Sequence, residues 1–83
     1  MDKVLVRVIV PSLNIQIDTL IPKYSLVEVI IGLLEEALSG YTDNCYIPTG
    51  SELLCWNRKG IVLNRNKTIF DYGIQNGEVL YFY

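Results

Sequence analysis

Histidine is absent from this 83-residue chain, and cysteine, methionine and tryptophan number two, one and one. Without histidine the side chain that most often moves protons or binds metal near neutral pH is missing. Cys45 and Cys55 cannot supply the four ligands of a structural zinc site. Two cysteines also make no disulfide framework, so both are expected to be free thiols in a reducing compartment. Positive charge is scarce and scattered: seven Lys and Arg face nine Asp and Glu, a formal net charge of −2. With no basic block to neutralise phosphates, nucleic acid is excluded as a partner. Long apolar runs are missing too, since Val4 to Val10 is interrupted by Arg7 and Leu26 to Leu34 by Glu28, so no direct membrane insertion is expected. The N-terminal stretch is rich in β-branched residues, carries a charge and runs into Pro11 without a small-residue cleavage pattern, unlike a signal peptide. A cytoplasmic location is expected.

Chemistry-bearing patterns are equally thin. There is no cysteine beside a base, no carboxylate pair on a shared face and no glycine-rich phosphate loop. Glu35 and Glu36 fall on the polar side of a predicted helix, where a solvated pair is the expectation. No catalytic, cofactor-binding or metal-binding residue is nominated, and the chain is expected not to be an enzyme.

What the chain does have is a core: 51% of its residues are apolar. Ordering a chain this short costs roughly 1.5 kcal/mol per residue, so nearly every apolar side chain must be used, and one domain over residues 1–83 is expected. Lys3 to Val10 reads as a strand with Val4, Val6, Val8 and Val10 on one face and Leu5, Arg7 and Ile9 on the other. Pro11 and Ser12 break it, and Asn14 to Leu20 alternates again, giving a hairpin. Ser25 and Glu28 fit a capping box. The helix that follows carries Leu26, Val29, Ile30, Leu33, Leu34, Ala37 and Leu38 as one stripe and ends near Ser39, with Gly40 as the stop. Tyr41 to Ser51 reads as a loop that could offer Cys45, Tyr46 and Ile47 as a second contact. Leu53 to Asn57, Ile61 to Leu63 and Glu78 to Tyr83 read as strands, with a compact turn or short helix between Thr68 and Ile74. Strands, one amphipathic helix, then strands describe an α+β layer whose helix covers one sheet face.

The segment Thr68-Ile69-Phe70-Asp71-Tyr72-Gly73-Ile74-Gln75 resembles the turn before the last strand of ubiquitin, with its hydrophobe, Asp-Tyr pair and Ile-Gln pair at this spacing. The resemblance implies a ubiquitin-like β-grasp: a mixed five-stranded sheet, order 2-1-5-3-4, with one helix on one face. It also implies structural roles for Asp71, which would hold the turn, and Tyr72, whose hydroxyl would meet backbone. The sequence stops at Tyr83 without the terminal Gly-Gly of conjugated relatives, so neither conjugation nor sulfur transfer is expected. Asp18-Thr19-Leu20-Ile21-Pro22 with the Ser25 to Leu38 helix, and the closing Asp71 to Glu78 stretch, resemble the EsaB/YukD family, small ubiquitin-like accessory proteins of type VII (WXG100) secretion. Glu78 stands where that family more often has Asp.

In this fold the sheet face opposite the helix stays open. If Val4, Val6, Val8, Ile15, Ile17, Leu54, Trp56, Leu63, Ile69, Ile74, Leu80 and Phe82 face the helix, then Leu5, Arg7, Ile9, Leu53, Cys55, Val79, Tyr81 and Tyr83 face outward. A contiguous apolar and aromatic patch on a small domain marks a partner surface, although strand propensity alone also places such residues in sheets. A one-residue slip of the third strand would exchange Leu53 and Cys55 for Leu54 and Trp56. The resemblance implies a non-catalytic interaction module, accessory or regulatory to a secretion machine. Its face would serve either docking to machine proteins, with recruitment to the membrane by a partner, or homodimerisation. The alternative is a small non-catalytic subunit of a multicomponent enzyme such as a diiron monooxygenase.

Overall fold

The structure is a computed structural model and describes residues 2–42 and 48–83. The expected Cys45, Tyr46 and Ile47 contact lies outside the described residues. Strand β1 (Lys3–Val10) is turned by a 3-10 turn at Pro11–Leu13 into β2 (Ile15–Pro22), with Asn14 in the left-handed region at φ 53°. Asparagine tolerates that conformation better than most side chains. Helix α1 (Val27–Tyr41) follows, then β3 (Leu54–Trp56), β4 (Ile61–Val62), the one-turn helix α2 (Ile69–Tyr72) and β5 (Glu78–Phe82). All five strands join one sheet in the order β2-β1-β5-β3-β4. The central pair β1 and β5 is parallel and the other pairs are antiparallel.

The core lies between this sheet and α1. Val4, Val6, Val8 and Val10 of β1, Leu54 and Trp56 of β3 and Leu80 and Phe82 of β5 are buried, as alternation predicts. Leu63, Ile69 and Ile74 complete that side, and Ile21 joins them from the end of β2. Ile15 and Ile17 face the same way but are only half-buried, because β2 is an edge strand.

Helix α1 departs from the sequence expectation at both ends and around its axis. Its N-cap is Leu26, with no side-chain cap, and Ser25 plays no capping role. Backbone carbonyls substitute: the Val27 and Glu28 N–H groups donate to the carbonyl oxygens of Lys67 (2.8 Å) and Arg65 (3.1 Å). These donors would otherwise be unsatisfied at a helix start, so tertiary structure supplies what a serine would supply locally. At the other end Gly40 stays helical, and Thr42 closes the helix by donating its N–H (3.0 Å) and Oγ1 (2.7 Å) to the Leu38 carbonyl. The buried stripe is Val27, Ile30, Ile31, Leu34 and Leu38. Leu26, Val29 and Leu33 are exposed, as is Ala37. Two adjacent apolar stripes run along this helix with the same period, and the sheet covers only one of them.

The capping box sits instead at α2. Asp71 N–H donates to Thr68 Oγ1 (3.0 Å) and Thr68 N–H donates to Asp71 Oδ2 (3.0 Å). Those hydrogen bonds, the backbone one first, hold the Asp71 carboxyl below its usual range. Gly73 ends the turn at φ 72°, where a side chain would be strained.

Candidate functional site

Register decides what the open face presents. Ile9 lies opposite Gln16 on one side and Tyr81 on the other, Tyr81 lies opposite Cys55, and Cys55 lies opposite Val62. Gln16, Ile9, Tyr81, Cys55 and Val62 therefore form one row across all five strands, on the face away from α1. Asp18, Arg7 and Val79 form a second row. Leu5 and Leu20 face each other at one end of the sheet. At the other, the Tyr83 N–H donates to the Leu53 carbonyl (2.8 Å) and the rings of Tyr81 and Tyr83 stack with centroids 6.0 Å apart.

All eight residues nominated from sequence, Leu5, Arg7, Ile9, Leu53, Cys55, Val79, Tyr81 and Tyr83, lie on this one face. Strand β3 takes the register that buries Leu54 and Trp56, so the slip does not occur. Leu5 is 46% and Tyr83 59% exposed, whereas Ile9, Cys55, Val79 and Tyr81 are half-buried by their neighbours. Sequence reasoning left out Leu20 (51% exposed) and Val62 (53%), which extend the patch to both edges. Leu20 shares the parity of Gln16 and Asp18, a signal present in the alternation. Val62 sits on a two-residue strand, and only the preceding turn determines its face.

The charges on this face cancel. Arg7 Nε donates to Asp18 Oδ1 at 2.9 Å and Nη2 to Oδ2 at 3.5 Å, across the antiparallel pair. The hydrogen bond from Arg7 lowers the Asp18 pKa, and its counterpart raises that of Arg7. Both side chains are more than half exposed, so this pair fixes geometry more than it stabilises the fold. Beside it a shallow depression of about 310 Å³ is lined by Leu5, Val6, Arg7, Asp18, Gly77 and Val79. Cys55 carries a free thiol whose pKa is raised by burial, which disfavours the reactive thiolate. Among the described residues no group of three or more His, Cys, Asp or Glu is placed to hold a metal ion.

Elsewhere, among the described residues, one carboxylate is buried. Glu52, 3% exposed, accepts from the N–H groups of Thr49 (2.8 Å) and Gly50 (3.0 Å), while its own carbonyl accepts from Arg65 Nη2 (2.8 Å). Of the expected solvated Glu35-Glu36 pair, Glu36 is exposed and Glu35 is half-buried, near enough to Glu52 to sense its charge. Desolvation first, then the hydrogen bond with Glu52 and the charge of Glu52, raise the Glu35 pKa, and Arg65 opposes them. The Arg65 hydrogen bond ties the segment before β3 to the turn that follows β4.

The open sheet face, the parallel central strands and the Asp71-Tyr72 turn together match known domains. The fold is ubiquitin-like. A chain of the MycP5-free ESX-5 inner membrane complex is similar over the whole of this chain and 21% of its own length, with a TM-score of 0.78 and 17% identity. The EccD5 ubiquitin-like domain of Mycobacterium xenopi is similar over 100% of this chain and 94% of its own, with a TM-score of 0.78 and 15% identity. A ubiquitin-like domain from Arabidopsis thaliana is similar over 100% and 78%, with a TM-score of 0.74 and 18% identity. This chain thus spans about a fifth of the length of the ESX-5 complex chain. No family model and no curated protein matches the sequence. In this ubiquitin-like chain Tyr72 plays the role that the resemblance implied: its hydroxyl accepts from the Asn64 N–H at 2.7 Å, and its ring meets Trp56 edge-on. No helix among the described residues is long and apolar enough to cross a membrane.

Proposed function

We propose that this chain is a non-catalytic interaction module of a bacterial type VII secretion machine, docking on a machine protein through its open sheet face. The observation that carries the reading is the five-strand row of Gln16, Ile9, Tyr81, Cys55 and Val62, flanked by Leu5, Leu20, Leu53 and Tyr83 and electrically neutralised by Arg7 with Asp18. An apolar and aromatic surface of this kind, with its one ion pair at the side, has the composition of an interface centre. The secretion setting is supported by the resemblance of the Asp18 to Pro22 and Asp71 to Glu78 stretches to the EsaB/YukD family. Likeness to the EccD5 ubiquitin-like domain and to a chain of the ESX-5 inner membrane complex points the same way. In this reading the chain works in the cytoplasm and reaches the membrane through its partner.

The test is affinity capture of the tagged protein from cytosol and solubilised membranes, with mass spectrometry, comparing wild type and Tyr81→Arg. A charged guanidinium in the middle of the row should abolish capture while the circular dichroism spectrum stays unchanged. Recovery of secretion components by wild type alone is the expected result. Equal recovery by the variant removes the face from the reading, and recovery of oxygenase subunits replaces the secretion role by that of an enzyme subunit.

A further inference from the structure

We propose that a second site, a groove at the Leu5-Leu20 end of the sheet, binds an extended acidic peptide segment by seating an apolar side chain between Lys3 and Lys23. The groove holds about 570 Å³, with Leu5 and Leu20 as its apolar floor and Phe70 as one wall. The Gly73 to Asn76 turn closes the opposite side. No acidic residue lines it, although the chain as a whole is acidic. Lys3 and Lys23 are brought together because Lys3 pairs with Pro22 across the hairpin. Ion pairs among the described residues join Arg7 to Asp18 and Arg58 to Glu78, and neither groove lysine takes part in one.

The arrangement is set before any ligand arrives. Lys23 Nζ stands 5.4 Å from the centroid of the Phe70 ring and 5.7 Å from that of Tyr24, and the two rings lie 5.2 Å apart. Contact with ring faces holds the ammonium in place while leaving it hydrogens to donate to an anion. Backbone bonds fix the walls: Phe70 N–H donates to the Lys23 carbonyl (3.0 Å), Leu5 N–H to Asn76 Oδ1 (2.8 Å) and Gly77 N–H to the Leu5 carbonyl (2.9 Å). A preformed groove spares a ligand the cost of ordering it.

Charge complementarity selects carboxylates on either side of the apolar side chain. A peptide fits better than a lipid surface, because the site is a concave groove that takes a single side chain and not a flat face. The groove shares Leu5 and Leu20 with the edge of the open face but none of the row centred on Tyr81, so substitution at Tyr81 separates the two sites.

The experiment titrates the full ¹⁵N-labelled chain with the capped hexapeptide Glu-Asp-Leu-Leu-Asp-Glu and with a control in which lysine replaces each acid. The acidic peptide should shift the amides of Lys3, Leu5, Leu20 and Phe70 at millimolar concentration or below, and more weakly as salt rises. Lys3→Glu with Lys23→Glu should weaken binding about tenfold or more, Lys3→Gln with Lys23→Gln by less, and Tyr81→Arg should leave it unchanged. No shift, equal binding of the basic control, or shifts centred on Tyr81 would each overturn the proposal. So would lysine-dependent binding to phosphatidylserine vesicles without a peptide response, which would assign the groove to lipid.

Discussion

Removing one oxygen, in Tyr72→Phe, isolates the hydroxyl that closes the turn before β5. In the wild type that hydroxyl accepts from the Asn64 N–H at 2.7 Å, and the ring contacts Trp56 with centroids 6.4 Å apart at 76°. The variant keeps the ring and its edge-on contact and loses only the acceptor. A backbone hydrogen bond of this kind is worth about 0.5–1.5 kcal/mol net, and the Asn64 site is open enough for water to replace the hydroxyl, which places the loss near 1 kcal/mol. For a domain of this size that corresponds to a fall in Tm of about 4–8 °C. Urea denaturation should show a lower midpoint at unchanged slope, because the same surface is exposed on unfolding. Hydrogen exchange supplies the local readout: the Asn64 amide should exchange faster in the variant, while core amides such as that of Leu80 slow or quicken only with global stability. Tyr72→Ala should cost about 2–3 kcal/mol, because it also removes the half-buried ring. Should Tyr72→Phe fall within about 0.3 kcal/mol of wild type with Asn64 exchange unaltered, the hydroxyl is not a structural element of the turn and the reasoning fails.

The rotated helix stripe makes two adjacent leucines diverge: Leu34→Ala should cost about 2–5 kcal/mol and Leu33→Ala, 47% exposed in the wild type, no more than about 0.5 kcal/mol, compared by urea midpoints. Equal costs would return Leu33 to the core. Glu35→Gln tests the carboxyl pair with Glu52. A carboxyl whose pKa is raised on folding gives its full contribution below the ordinary carboxylate value and loses it as pH climbs through the raised one. Glutamine cannot ionise, so the variant should gain on wild type as pH rises above the ordinary carboxylate value, by less than about 1 kcal/mol for a partly exposed group. A difference that does not change with pH refutes the coupling.

How far the sequence speaks can be judged residue by residue. Alternation in β1 and β5 assigned Val4, Val6, Val8, Leu80 and Phe82 to the core and Leu5, Arg7, Val79 and Tyr81 to the open face, because a period of two leaves a strand only two orientations. The resemblance of the Thr68 to Gln75 stretch to ubiquitin located the last turn and implied the contact of the Tyr72 hydroxyl with backbone. Leu53 and Cys55 followed only once the pairing of β3 with β5 fixed the register of the third strand.

Helix α1 was legible only in part. Ile30, Leu34 and Leu38 were read correctly, but the period admits two neighbouring stripes, and the choice of Val27 and Ile31 over Val29 and Leu33 follows from where the sheet lies. Its N-terminus is satisfied by the carbonyls of Arg65 and Lys67, distant in sequence, so a local capping signal at Ser25 pointed to the wrong donor partners. The groove between Lys3 and Lys23 and the hydrogen bond from Arg65 to the carbonyl of buried Glu52 likewise join separate segments. Local sequence determined which residues share a strand face and where the tight turns fall. Tertiary structure alone decided which helix stripe is covered and which charges meet, because both depend on contacts between segments whose relative placement no local pattern encodes.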